Sequence, residues 1–256
     1  MTGVLPLALE EATKVVGALL LAGKEYVCVM RLHAAVPEDH VKAVLEEFQG
    51  VIYQRPPLRA SVKRRLRTRT IYYLDFLEME ERNVLFKVGC EAGTYIRKLC
   101  YDIGEVLGCG ADMRELRRTR VGPFAEEDKL VTLHDVAYFF AEWQEKKDES
   151  LLRKFVYPME KALELLPKIV VRDSAVDALC HGAHLTAPGV LSLETGIKTK
   201  GTVAVFTQKG EAITLAQAQA STDKILIMDH GFVAKTMRVL MPRGVYPKKW
   251  RSSSKS

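Results

Sequence analysis

No stretch of this sequence is long and apolar enough to span a bilayer. The longest uncharged apolar run, Val15 to Ala22, falls far short of the roughly 20 residues a membrane helix needs. The N-terminus also lacks the basic leader of a secretory signal, so a soluble, non-exported protein is expected. Cysteine is scarce and scattered: Cys28, Cys90, Cys100, Cys109 and Cys180 are odd in number and form no C-x-x-C pair. That pattern excludes a disulfide framework and points to a reduced intracellular compartment. No glycine-rich loop follows a strand-like run, which disfavours a phosphate-cradling metabolic enzyme. Metal ligands are short too. Cys180, His181 and His184 lie within five residues, but no second Cys/His cluster completes the four ligands of a structural zinc site, and no metal is expected.

What is present is an ordinary globular composition with a patterned charge. Apolar residues make up 48% and charged residues 27% of 256 residues, enough for a sizeable core and for two domains. The net charge is +6, but it is not spread evenly. Arg55 to Arg69 carries Arg55, Arg59, Lys63, Arg64, Arg65, Arg67 and Arg69 with no acid. Arg114 to Arg120 and Lys235 to Ser256 are the other two basic segments, and together the three hold +17 against −11 for the remainder. Positive stripes on a mildly acidic body suit a polyphosphate backbone, where each neutralised phosphate releases counterions. A solvated cationic face with no partner is the bland alternative. An anionic membrane is disfavoured, because no basic run has an apolar opposite face.

Periodicity predicts a helix over Leu9 to Ala22, ended by Gly23. A strand follows from Lys24 to Leu32, with Tyr26, Cys28, Met30 and Leu32 on one face. Pro37 opens a second helix that Gly50 closes. Strand-like runs at Thr70 to Met79 and Val84 to Glu91 are joined by a charged turn. Thr94 is a candidate N-cap for a helix reaching about Leu107. Lys129 to Leu166 reads as mostly helical, with a break at Glu145 to Ser150. Beyond Pro167, short runs at Ile169 to Val171, Thr202 to Thr207, Ala212 to Ala216, Lys224 to Met228 and Ala234 to Leu240 suggest a small β-barrel. The Ser/Lys tail after Trp250 is expected to be disordered.

Five short motifs then occur in order: Thr2-Gly3-Val4-Leu5-Pro6, Lys24-Glu25-Tyr26, Gln54-Arg55-Pro56-Pro57, Gly93-Thr94-Tyr95-Ile96-Arg97 and Leu116-Arg117-Arg118. Pro188-Gly189-Val190 and Tyr246-Pro247-Lys248-Lys249-Trp250 follow near the end. In these motifs the chain resembles the TruB-type RNA pseudouridine synthases, in particular the archaeal and eukaryotic dyskerin-like branch of box H/ACA particles, collinearly and over essentially its whole length. The resemblance implies an α+β architecture: a mixed, antiparallel-sheet catalytic domain over residues 1–166, incomplete at its N-terminus, a PUA-like β-barrel that binds RNA over 167–250, and a disordered tail over 251–256. It implies isomerisation of uridine to pseudouridine, in the TΨC loop of tRNA or in rRNA. The implied partners are tRNA or rRNA substrate, a box H/ACA guide RNA and the small protein subunits of that particle. No membrane, metal or organic cofactor is implied, and the location is cytoplasmic, or nucleolar in a eukaryote.

The reaction extrudes the uridine from its stack, attacks it with a carboxylate and uses an aromatic ring to support the base and move protons. A guanidinium keeps the carboxylate ionised. By this resemblance Tyr26 is the active-site tyrosine, Arg97 the charge partner and Leu116 the apolar residue beneath the pocket. By residue type alone each would read as an ordinary core or surface residue. Arg59, Lys63, Arg64, Arg65, Arg67, Arg117 and Arg118 are the expected RNA-binding residues. The family's nucleophilic aspartate lies just ahead of the Thr-Gly-Val-Leu-Pro match, upstream of Met1. Glu10, Glu11 and Asp102 do not replace it, so the polypeptide as it stands is expected to be inactive. The alternative from another class is a non-catalytic RNA-binding scaffold.

Overall fold

The structure, a computed structural model, describes residues 1–57, 62–127 and 130–248. Arg59 and the tail after Trp250 lie outside the described residues. The chain divides into two compact units, residues 1–7 with 19–156, and residues 8–18 with 157–256.

The first unit is built on a seven-stranded sheet. In chain order its elements are β1 (Thr2–Gly3), β2 (Lys24–Leu32), α2 (Glu38–Glu47), β3 (Gly50–Gln54), β4 (Arg67–Glu80), β5 (Asn83–Cys90), α3 (Ile96–Val106), β6 (Ala111–Val121), β7 (Phe124–Ala125) and α4 (Leu133–Lys146), with α1 (Val16–Leu21) between β1 and β2. The strand order is β1-β6-β2-β5-β4-β3, with β7 on β6. Only β1 runs parallel to its neighbour; the other pairs are antiparallel.

One face of this sheet is apolar because its strands alternate. Cys28, Met30 and Leu32 of β2, with Val84, Phe86 and Val88 of β5, are fully buried. The stripe Ile96, Leu99, Cys100 and Ile103 of α3 and Val41, Val44 and Leu45 of α2 join the same core. Side chains of this size contribute about 1.5–3 kcal/mol each on burial. Gly108 and Gly110 end α3 at positive φ, a conformation glycine adopts without strain. Where the chain turns into β6, an added Cβ on Gly104 would stand 2.1 Å from the Ala111 nitrogen and 2.5 Å from the Gly110 carbonyl carbon. These are backbone atoms that cannot swing aside. Gly104→Ala is expected to destabilise the protein by about 1–3 kcal/mol in urea unfolding followed by circular dichroism. Gly17→Ala, with nothing within 4 Å of its Cβ, serves as the near-neutral control.

The second unit is a six-stranded mixed sheet of β8 (Lys168–Val171), β9 (Leu185–Thr186), β10 (Val190–Leu193), β11 (Thr202–Phe206), β12 (Ala212–Ala218) and β13 (Phe232–Val239), in the order β10-β8-β11-β12-β13-β9. Helices α5 (Asp173–Cys180) and α6 (Thr222–Leu226) complete it. Its core holds Ile169, Val171, Leu179, Val205, Ile213 and Val233. Cys180 faces this core, and His181 is occupied by the Asp177 carbonyl at 2.8 Å.

The structure departs from the sequence expectations at several points. The helix expected over Leu9 to Ala22 is a 3-10 segment, Glu10–Val15, followed by the short α1. The compact units themselves divide between Val156 and Tyr157. The cause is local: in the 3-10 segment Met159–Leu163, Leu163 is fully buried and Glu160 accepts a hydrogen bond from the Ala212 nitrogen at 3.1 Å. The run Lys224 to Met228 is not a strand. Ser221-Thr222-Asp223 starts α6 there, and Ile225 is buried while Leu226 and Ile227 are exposed. Tyr95, not Thr94, is the N-cap of α3, because the Thr94 hydroxyl donates to the Glu91 carbonyl at 2.7 Å. Six strands were not anticipated: β3 and β6, and the short β1, β7, β9 and β10.

Candidate functional site

Tyr26 continues the buried face of β2 to the end of the sheet. Its Cα partners are Val88 on β5 and Arg118 on β6. Two residues further along, Cys28 is fully buried, whereas Tyr26 is only half-buried. Burial raises the pKa of its hydroxyl above the ordinary value, opposed by the charge of, and a hydrogen bond with, Arg118. Arg118 is itself fixed: its Nε donates to the Val4 carbonyl at 2.8 Å, and its own carbonyl accepts from the Val4 nitrogen at 2.7 Å. This pairing requires glycine at position 3. Gly3 has φ +97°, and an added Cβ would lie 2.1 Å from the Arg118 oxygen. The first motif of the sequence is thus the strand that docks beside Tyr26.

The same end of the sheet receives α3. Strand β5 ends at Cys90, opposite Lys24 at the start of β2. The chain turns through residues 91–95, and α3 then runs back in the direction of β2, delivering Ala111 opposite Leu32. Midway, the Cys28 and Cys100 sulfurs touch at 3.6 Å. From that contact, Tyr26 lies about 7 Å back along the strand, and Arg97 lies about 4.5 Å back along the helix. Arg97 is exposed. Leu116 is the β6 partner of Cys28 and packs partly buried against the same core. Tyr26 and Arg118 thus pair near one end of the sheet, Leu116 lies two residues further in on the same face of β6, and Arg97 stands one turn ahead of Cys100 on α3. On the β3 side of α3 is a cleft of about 410 Å³ lined by Tyr53, Arg55, Arg64, Leu66, Lys98 and Asp102, among others.

The expected RNA-binding cations do not form one class. Lys63, Arg64 and Arg65 are exposed. Arg67 is half-buried, its Nη2 donating to the Lys63 carbonyl at 3.3 Å and its Nε buried without a hydrogen-bond partner. Arg117 is exposed but makes a two-pronged ion pair with Glu126. Arg118 donates from Nε to the Val4 carbonyl at 2.8 Å, a contact that the sequence did not anticipate. The two are neighbours on a strand, so their side chains point to opposite faces.

Sequence reasoning also missed a polar network on the opposite face of β2. The Glu25 carboxylate accepts hydrogen bonds from the Tyr73 hydroxyl, from Thr119 Oγ1 at 2.7 Å and from Arg120 Nη2 at 3.2 Å. Burial acts to raise the Glu25 pKa, but the bonds from Tyr73 and Thr119 and the charges of Arg120 and Lys87 outweigh it, leaving the carboxyl below its ordinary 4.5. Tyr73 is pushed up to about 12, by burial first and by Glu25 second, so it remains a proton donor at neutral pH. A carboxyl whose folded pKa is depressed stabilises the fold above its unfolded value, and loses that contribution as pH falls through the folded value. Glu25→Gln is accordingly expected to melt below the native protein at pH 7, with the gap closing below about pH 4.

Three carboxylates of these elements are engaged. Glu25 serves its network, and Glu91 accepts from the Thr70 nitrogen at 3.0 Å and pairs with Arg69 at 3.6 Å. Asp102 pairs with Lys98. Lys24, in the same motif as Tyr26, caps the end of α1, donating to the carbonyls of Leu20 and Ala22 at 2.8 and 2.7 Å.

Comparison with known proteins places these residues in context. The profile of the TruB family pseudouridylate synthase N-terminal domain matches residues 1–96, that of the tRNA pseudouridylate synthase B C-terminal domain matches 97–164, and that of the PUA domain matches 167–240. A probable tRNA pseudouridine synthase B from Methanopyrus kandleri is 57% identical over 98% of this chain and 74% of its own length. The Pyrococcus abyssi protein of the same name is 55% identical over 98% of this chain and 75% of its own. Among solved structures, a Cbf5-Nop10-Gar1 complex matches with a TM-score of 0.93 at 54% identity, covering 96% of this chain and 75% of the other. An H/ACA ribonucleoprotein bound to a substrate RNA containing 2'-deoxyuridine matches with a TM-score of 0.88 at 50% identity, over 94% and 73%.

Proposed function

Since the chain belongs to the TruB family of pseudouridylate synthases, we propose that the site at the shared end of β2, α3 and β6 isomerises uridine to pseudouridine in the TΨC loop of tRNA and in rRNA. In this reading it acts in the cytoplasm, or in the nucleolus of a eukaryotic cell. It works within a box H/ACA particle, with a guide RNA and small subunits such as the Nop10 and Gar1 of its structural relatives. The register that sets Tyr26 and Leu116 on one face of β2 and β6, with Arg97 one turn ahead of the Cys28–Cys100 contact, supports this reading most.

Each residue has a distinct task. The Tyr26 ring supports a base swung out of its stack, and its hydroxyl is placed to relay a proton. Arg97, exposed at the first turn of α3, faces the nucleophilic carboxylate and favours its charged form. Leu116 supplies the apolar floor. Arg118 orients Tyr26 while tying β1 to β6, and Lys63, Arg64 and Arg65 contact phosphates.

The attacking carboxylate is not among the described acids flanking this end, since Glu25, Glu91 and Asp102 each have other partners. By family resemblance it stands in a segment ahead of Thr2. Residues 1–256 alone are therefore expected to bind RNA without releasing tritium from a 5-tritiated uridine transcript. An extended enzyme, with the aspartate-bearing segment of the Methanopyrus kandleri relative joined ahead of Thr2, is expected to release it. Tritium release by the 256-residue polypeptide would refute the assignment. Silence from the extended form with RNA binding intact would favour a scaffold instead. Binding is checked separately: Lys63→Glu with Arg65→Glu should weaken RNA affinity and reduce the slope of log K against log salt by about 1 to 2.

A further inference from the structure

The loop that carries Tyr95 into α3 has no side-chain cap of its own, yet one buried amide from another element holds it. Gln54 is the last residue of β3 and is 2% exposed. Its Oε1 accepts from the Tyr95 nitrogen at 3.0 Å, and its Nε2 donates to the Tyr95 carbonyl at 3.2 Å. The side chain thus completes the donor and acceptor of one residue, as a neighbouring strand would. The Tyr95 carbonyl is also the one that receives the first helical bond of α3, from the Leu99 nitrogen at 3.0 Å. Two residues beyond it stands Arg97. From β4, the Arg69 guanidinium adds a second brace. Its Nη2 lies 3.2 Å from where a Gly93 Cβ would be, and its Nη1 pairs with Glu91.

We propose that Gln54 is a positioning residue for the reaction: it fixes the first turn of α3 and with it the direction in which Arg97 points. This rests on the role given to Arg97 above. A primary amide is the side chain that suits the task, because it donates and accepts at one end while staying uncharged. Glutamate accepts the Tyr95 N–H but presents a second acceptor to the Tyr95 carbonyl. Methionine fills the volume and offers neither bond. A buried amide in this place would be conspicuous only as a fold contact if stability were its whole contribution.

The test uses three variants of the extended enzyme, Gln54→Met, Gln54→Glu and Arg97→Ala, with kcat and KM for RNA measured separately. Amide hydrogen exchange is followed at Tyr95 to Lys98. Gln54→Met is expected to lower kcat tenfold or more, to leave KM within twofold and to speed exchange of the Tyr95 amide. Gln54→Glu is expected to fall between it and the native enzyme. The same kcat in Gln54→Met as in the native enzyme, while Arg97→Ala is inactive, overturns this inference alone. Losses in kcat and KM that simply follow the fraction unfolded also overturn it. Native kcat in Arg97→Ala overturns the underlying reading and this inference with it.

Discussion

Replacing Tyr26 by alanine in the extended enzyme is expected to lower turnover at saturating RNA by about 10²–10⁴-fold, the range of a positioned proton-transfer group. RNA affinity should stay within about threefold, because phosphate contacts supply most of the binding. The reason lies in where the residue sits. The ring continues a buried face near a strand end, where the charge of Arg118 acts on its hydroxyl. Tyr26→Phe separates two contributions: it keeps the ring that supports the base and removes the hydroxyl. Single-turnover kinetics alongside filter binding give both numbers. Equal losses in rate and affinity would assign Tyr26 to RNA binding only.

The second large effect is expected at a residue with no side chain. In the extended enzyme, Gly3→Ala would place a methyl group against the Arg118 carbonyl, at a backbone φ of +97°, where an L side chain costs about 1–3 kcal/mol. The two-residue strand β1 cannot absorb this and must lift from β6. Arg118 then loses the Val4 carbonyl, Tyr26 loses a fixed partner, and the segment ahead of Thr2 loses its anchor. Displacement of reacting groups by about 1 Å can cost on the order of 10²-fold in rate, so turnover should fall at least that far. The melting temperature should move by only a few degrees, because β1 is an edge strand and the core lies elsewhere. A Gly3→Ala enzyme with native turnover would show that the β1–β6 pairing does not organise the site.

The sequence was informative where periodicity was unbroken. Strand β2 was legible to the residue because Tyr26, Cys28, Met30 and Leu32 alternate with polar or smaller neighbours, and α3 was legible from its apolar stripe. Strand β6 was hidden. Four arginines in ten residues read as a basic patch, and its pairing with β2 slips at Glu25/Tyr26 and at Val29/Met30, which blurs a period of two. Strand β3 is short and lies at the sheet edge, so Val51 and Tyr53 are exposed and no inner stripe marks it. The α6 segment failed for the opposite reason: its apolar run is too short for periodicity to separate helix from strand.

The candidate site was legible only through motif order. Residue type alone did not single out Tyr26, Arg97 or Leu116. The tie of Arg118 to Val4 was not legible because it spans 114 residues of sequence, and Gln54 was noted only as part of a motif because a glutamine shows its two bonds only once β3 and α3 are placed. The Glu25 network was equally silent, since it joins β2, β4 and β6 across the sheet.

The most direct measurement of the central claim is a double-mutant cycle between Tyr26 and Arg97 in the extended enzyme, read as single-turnover rate on a target transcript. If the two side chains serve one reacting uridine, Tyr26→Phe with Arg97→Ala together should cost little more than the worse single change. Losses that multiply independently would mean that the two residues act at separate places, and would contradict the account.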